Sequence, residues 1–191
     1  FLGKILVVSP FTAKEAALDN HNAPMVVNPI APDIWAKRDS FDPSAYRKDI
    51  LLFWKDVGPG LQGSQVVQEL QSMRPGVSVT VWCRGAGNLA LAQQALPNAT
   101  IVEKVTEKEL IDLYLGHSFL LFCSTFEGFG MPPIEALACG CIPVLNPEVG
   151  AAELYAQDGQ NSIFLQENAS VVASKLCGIL DDLPTLQAMR R

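Results

Sequence analysis

The residues with the most chemistry to offer lie in one run, Ser124-Thr125-Phe126-Glu127-Gly128-Phe129-Gly130-Met131-Pro132-Pro133-Ile134-Glu135. Glu127 and Glu135 stand eight positions apart. An ionised carboxylate accepts hydrogen bonds and donates none, so each can hold two sugar hydroxyls at once. Gly128 and Gly130 let the backbone turn sharply and let a ligand approach main-chain N–H groups. Pro132 and Pro133 suit the first turn of a helix, where no N–H is needed. The start of such a helix is an anion site fit for a diphosphate. Each piece also has a plainer reading. A first-turn Glu135 would stabilise its own helix by about 0.3–1 kcal/mol, and Gly-x-Gly after a strand is a common turn. The coincidence of carboxylates, glycines and helix start is what points to a site for a sugar and a nucleotide.

An alternation of strands and helices must position these residues. Lys4–Val8 and Met25–Asn28 read as strands around a helix at Thr12–Asp19, followed by an aperiodic, proline-broken linker, Ala31–Tyr46. Beyond it Ile50–Trp54, Val77–Cys83, Thr100–Val102, Phe119–Cys123, Cys141–Leu145 and Ser162–Leu165 read as strands. Ser64–Met73, Asn88–Ala95, Glu107–Leu115, Pro133–Cys139, Ala151–Ala156 and Ala169–Leu180 read as helices. This pattern predicts an α/β fold, a doubly wound parallel sheet of Rossmann-like type. Ligands of such sheets bind beyond the carboxyl ends of the strands. The loops expected to matter are therefore Lys55–Gly63, Arg84–Gly87, Glu103–Thr106, Ser124–Pro132 and Asn146–Gly150.

Composition narrows the function classes. The chain has 191 residues, 49% of them hydrophobic, enough for one domain with a sizeable core. A formal net charge of −6 argues against a nucleic-acid partner, which needs a basic face. No apolar run approaches the roughly 18 residues of a membrane helix. The five cysteines, Cys83, Cys123, Cys139, Cys141 and Cys177, are odd in number and mostly set in apolar runs, so reduced core thiols are expected. Cys139-Gly-Cys141 has no second Cys/His pair nearby to complete a metal site. His21 and His117 lack a placed catalytic partner, and His117 at a helix end suits the helix dipole. Asp181-Asp182 reads as a solvated helix end. Trp35 and Trp54 read as packing residues, and Trp82 as a strand residue beside a base pocket. The sequence opens on Phe1 inside a strand-like run and closes in a helix-like stretch, Pro184–Arg191, so both ends read as fragment boundaries.

The run from Ser124 through Glu127-Gly128-Phe129-Gly130 and Glu135 to Val144 resembles the signature of glycosyltransferase family 4. The likeness continues through Gly150-Ala151-Ala152-Glu153-Leu154 and Asp158-Gly159-Gln160-Asn161-Ser162. It is strong over residues 118–165 and weaker from about Val26 to Leu180. The resemblance implies the C-terminal half of a GT-B fold, in which two Rossmann-like domains face each other across a cleft. Residues 1–46 would then be the end of an N-terminal acceptor domain plus the interdomain linker, and residues 47–191 the donor domain. It further implies that Glu127 is the catalytic-site carboxylate on the donor sugar and that Glu135 binds the ribose. Gly128 and the backbone of Phe129, Gly130 and Met131 would contact sugar and phosphate, and Val105 the base.

The family's diphosphate grip, an Arg followed by a Lys, is replaced here by Lys55 and Gln62, with Arg84 as an added cation. Lys keeps charge but loses the bidentate fork. Gly58-Pro59-Gly60-Leu61-Gln62-Gly63 would compensate as a phosphate-binding nest, with Ser64 capping the next helix. The expected activity is retaining transfer of a hexose or deoxyhexose from a nucleoside-diphosphate sugar to a saccharide or lipid-linked acceptor. It would need no cofactor or metal. The missing N-terminal domain would bind the acceptor, so this part alone would bind nucleotide and barely turn over. The implied location is cytoplasmic, extending to peripheral association at the inner face of the membrane. The rival readings are a non-catalytic nucleotide(-sugar)-binding or interaction module, and a GT-B epimerase or phosphorylase.

Overall fold

The computed structural model describes Ile34, Asp42, Ala45 and residues 47–190 except Ala86. The elements expected between Lys4 and Asn28, with His21 and Trp35, lie outside the described residues. The strands are β1 (Lys48–Trp54), β2 (Val79–Cys83), β3 (Thr100–Val102), β4 (His117–Phe122), β5 (Ile142–Leu145) and β6 (Ile163–Phe164). The helices are α1 (Val57–Met73), α2 (Asn88–Ala95), α3 (Glu107–Gly116), α4 (Met131–Ala138), α5 (Ala152–Tyr155), α6 (Ala169–Asp181) and α7 (Leu183–Met189).

The strands form one six-stranded sheet in the order β3-β2-β1-β4-β5-β6. All its pairings are parallel. The expected doubly wound α/β fold is therefore present. The central strands are buried on both faces, which is why they read as unbroken apolar runs. Alternation along β1 divides the core. Ile50, Leu52 and Trp54 join α1, α2, α6 and α7 on one face, while Leu51 and Phe53 join α3 and α4 on the other. Ile34, from the expected linker, is helical and buried in the second cluster.

The segment after β1 departs from expectation. The helix starts at Val57 rather than Ser64, so only Lys55 and Asp56 lie between strand and helix. The glycines there do not form a nest. A Cβ on Gly60 would collide with the Trp54 indole, and one on Gly63 with Leu52. They bring α1 close to β1, and this close approach overrides the local turn signal. Ser64 is buried inside the helix, and its Oγ donates to the Leu61 carbonyl (2.8 Å) instead of capping.

His117 is buried where α3 meets β4. Its Nδ1 lies 2.7 Å from the Leu113 carbonyl, an acceptor only, so Nδ1 carries the proton. Nε2 then accepts from Thr80 Oγ1 (2.8 Å). Burial lowers its pKa from 6.5, so the neutral ring is a structural link rather than a charged partner of the helix dipole. Cys83, Cys123, Cys139 and Cys141 are buried free thiols and Cys177 is half-buried, as expected. Burial pushes Cys123 up to about 12 and raises Cys141 further. Asp182 caps α7 through Thr185, and Asp181 pairs with Arg74. Among the described residues no helix is long and apolar enough to cross a membrane, and no cluster of acids, histidines and cysteines could hold a metal.

Candidate functional site

The strand order reverses between β1 and β4, neighbours in the sheet whose continuations lead in opposite directions. Lys55 leaves the end of β1, and Ser124 to Glu127 leave the end of β4. Across the reversal Lys55 Nζ donates to Glu127 Oε1 (3.3 Å), to which Ser124 Oγ also donates (2.8 Å). Ser124 is buried, and its hydroxyl lies 3.1 Å from the Phe126 carbonyl as well. The Glu127 side chain is 15% exposed and that of Lys55 44%. Oε1 is thus held by the protein, and the carboxylate is oriented before any ligand arrives.

The turn into α4 is built by two backbone features. Gly130, the N-cap, is left-handed (φ 77°, ψ 62°), open to glycine at little cost. Gly150 (φ 66°) allows a second loop to close over the first. A Cβ there would sit 2.5 Å from the Phe129 carbonyl, and that carbonyl accepts from Ala151 N (2.8 Å). Pro132 and Pro133 remove two N–H groups from the first turn, so Met131 and Ile134 supply the amides there. The helix begins at Met131, two residues earlier than expected. Glu135 is therefore in its second turn, and the first-turn dipole reading does not apply to it.

Glu135 faces a cavity of about 740 Å³ that also receives Trp82, Arg84, Glu103, Val105 and Met131. Tyr114 Oη donates to Glu135 Oε2 (3.2 Å). Burial raises the Glu135 pKa; the Tyr114 hydrogen bond opposes this and nearby Glu107 adds to it. Val105 follows Lys104, a left-handed residue (φ 48°) whose conformation costs roughly 1–2 kcal/mol. Val105 precedes Thr106, which closes a capping box with Glu109. The kink and the box hold the end of β3 over the cavity. Trp82 lies on β2 in the cavity wall, 4.4 Å from Phe53 between ring centroids and edge-on to Tyr114.

The structure brings Lys55, Glu127 and the glycine turn together on one side, and Arg84, Val105, Met131 and Glu135 around the cavity. Gln62 is not in a loop beside them; it is half-buried in the second turn of α1. Asn88 was missed by sequence reasoning. Its Nδ2 donates to the carbonyls of Lys55 (2.6 Å) and Arg84 (2.7 Å), tying the ends of β1 and β2 together. Ser124 and Tyr114 were also missed as supports of the two glutamates. Nothing local marks such roles, although Ser124 lies in the run that carries the chemistry.

A family model described as glycosyl transferases group 1 matches residues 85–191, more than half of the chain. The chain belongs to this family. A D-inositol 3-phosphate glycosyltransferase of Streptomyces bingchenggensis is 42% identical over 60 residues, which are 31% of this chain and 13% of that relative. The match thus spans only a small part of the curated relative's length. HepE of Anabaena, solved in complex with UDP, superposes with a TM-score of 0.76 at 14% identity, over 100% of this chain and 57% of its own. The C-terminal domain of LpcC, a group 1 glycosyl transferase of Francisella tularensis, gives 0.59 at 18% identity, over 86% of this chain and 89% of its own. At these identities the structural likenesses establish the fold, that of GT-B glycosyltransferase C-terminal domains.

Proposed function

We propose that this chain is the donor-binding part of a retaining glycosyltransferase of family 4, transferring a hexose or deoxyhexose from a nucleoside-diphosphate sugar to a saccharide or lipid-linked acceptor. The observation that carries the reading is the placement of two held carboxylates on either side of the α4 start. Glu127, fixed by Ser124 and Lys55, takes the sugar. Glu135, fixed by Tyr114, takes the ribose at the cavity. Between them the diphosphate lies against the α4 start, with Gly128, the backbone of Phe129 and Gly130, and Met131 around it. Lys55 lies beside it and Arg84 toward the cavity. Val105 meets the base through its backbone. Oriented donors and cations of the protein stabilise charge developing on the leaving diphosphate, which a metal ion does in other designs. Binding of UDP by HepE is in keeping with this. Residues 1–46 belong with an acceptor domain and linker, and the full protein works in the cytoplasm or at the inner membrane face.

The test is a thermal-shift series with UDP, GDP, dTDP and ADP. A ligand bound only by the native state raises the melting temperature, by about 2.7 kcal/mol of stability at a hundred times its Kd. One of these nucleotides should give the shift, and Glu135→Ala should abolish it. A wild type that none of them shifts refutes the donor-site reading.

A further inference from the structure

We infer that Glu103 and Arg84 select a guanine base, so that the donor is a guanosine-diphosphate sugar; this deepens the donor-site reading and rests on it. Trp82 pairs with Val102 across β2 and β3. Cys83 and Arg84 follow Trp82, Glu103 and Lys104 follow Val102, and all four line the cavity. Burial raises the Cys83 thiol pKa, and the charge of Glu103 adds to it. Arg84 and Glu103 both line the cavity that holds Glu135, on the side of the sheet's β3 edge. With a ribose at Glu135 and a diphosphate toward β1, the base is directed at this pair. Trp82, Val105 and Leu110 give the cavity an apolar lining suited to a ring. The volume of about 740 Å³ accommodates a purine nucleoside.

The pairing edge of guanine presents a carbonyl oxygen and then two adjacent N–H donors. One carboxylate accepts from both donors at once, and a guanidinium donates to the carbonyl. Uracil and thymine present a single N–H between two carbonyls, so the second carboxylate oxygen would face an acceptor. Adenine presents one amino group beside a ring acceptor, with the same conflict. A site built to pair with specific donors rejects a base that leaves its groups unpaired.

Calorimetric titration of the chain with GDP, UDP, dTDP and ADP tests this. GDP should bind at least about fivefold more tightly than UDP, the lower end of what a bidentate base contact discriminates. Glu103→Gln should remove that preference: it weakens GDP, it strengthens UDP because the amide N–H now faces a uracil carbonyl, and it leaves the ligand-free melting temperature unchanged, since Glu103 is exposed. UDP binding as tightly as GDP, or a preference that survives Glu103→Gln, overturns the guanine assignment and leaves the donor site standing. Failure of every nucleotide to bind the wild type overturns both.

Discussion

Lys55 is the residue on which the proposed phosphate contact depends most. It stands at the end of β1, its carbonyl is held by Asn88, and its ammonium reaches Glu127. An ammonium has three donors, so Lys55 can keep Glu127 and take a phosphate oxygen together. A hydrogen bond to a charged group contributes about 1.5–3 kcal/mol. Lys55→Ala should therefore weaken binding of the stabilising nucleoside diphosphate by about tenfold or more. Lys55→Arg should largely retain it. Calorimetry on the variants decides; unchanged affinity in Lys55→Ala would remove Lys55 from the diphosphate site. The glutamates were legible in the sequence because their spacing around Gly-Phe-Gly and two prolines is itself informative. Their supports were not. Tyr114 lies 21 positions from Glu135 and Lys55 lies 72 from Glu127, so only the folded sheet brings them together.

At the scale of elements, α1 shows how packing decides between turn and helix. Val57-Gly58-Pro59-Gly60 has the composition of a loop, yet it opens a 17-residue helix. The bare face of Gly60 admits the Trp54 indole, which is fully buried. Ala is a better helix former than Gly by about 0.8–1 kcal/mol. Even so, Gly60→Ala should destabilise the protein by about 1–3 kcal/mol, the usual cost of overpacking. Denaturant unfolding measures this, and a stabilised variant would show that Trp54 can move aside. Elements without such a conflict were read closely from the sequence. Asn88–Ala95 and Thr100–Val102 have the same limits in the structure, because their periodicity and flanking turn residues agree with their packing.

For the whole molecule, the doubly wound architecture was legible in the alternation of apolar runs with helical segments. The order β3-β2-β1-β4-β5-β6 required the structure, since strand neighbours are a matter of long-range pairing. His117 joins three of these parts, linking β4 to Thr80 of β2 and to Leu113 of α3. Its lowered pKa has a consequence for stability. The unfolded chain takes up the proton near 6.5, whereas the fold resists it to lower pH. Between the two values the unfolded state binds more protons, so stability rises with pH through that window and is complete above it. The melting temperature should fall on acidification from about pH 7 to about 5.5, the range in which histidine titrates. His117→Gln should flatten that part of the profile while lowering stability throughout. A wild-type slope that survives the substitution would assign the effect to other groups.

Trp82 and Trp54 sit on opposite faces of the same sheet, one in the cavity wall and the other sealed beneath α1. An indole in a binding wall changes its emission when an aromatic heterocycle settles against it, whereas a sealed one keeps a constant background. On the proposed donor-site reading, Trp82 is a built-in optical reporter of occupancy. Quenching on addition of the stabilising nucleotide should then be lost in Trp82→Phe, with Trp35 and Trp54 present in both proteins.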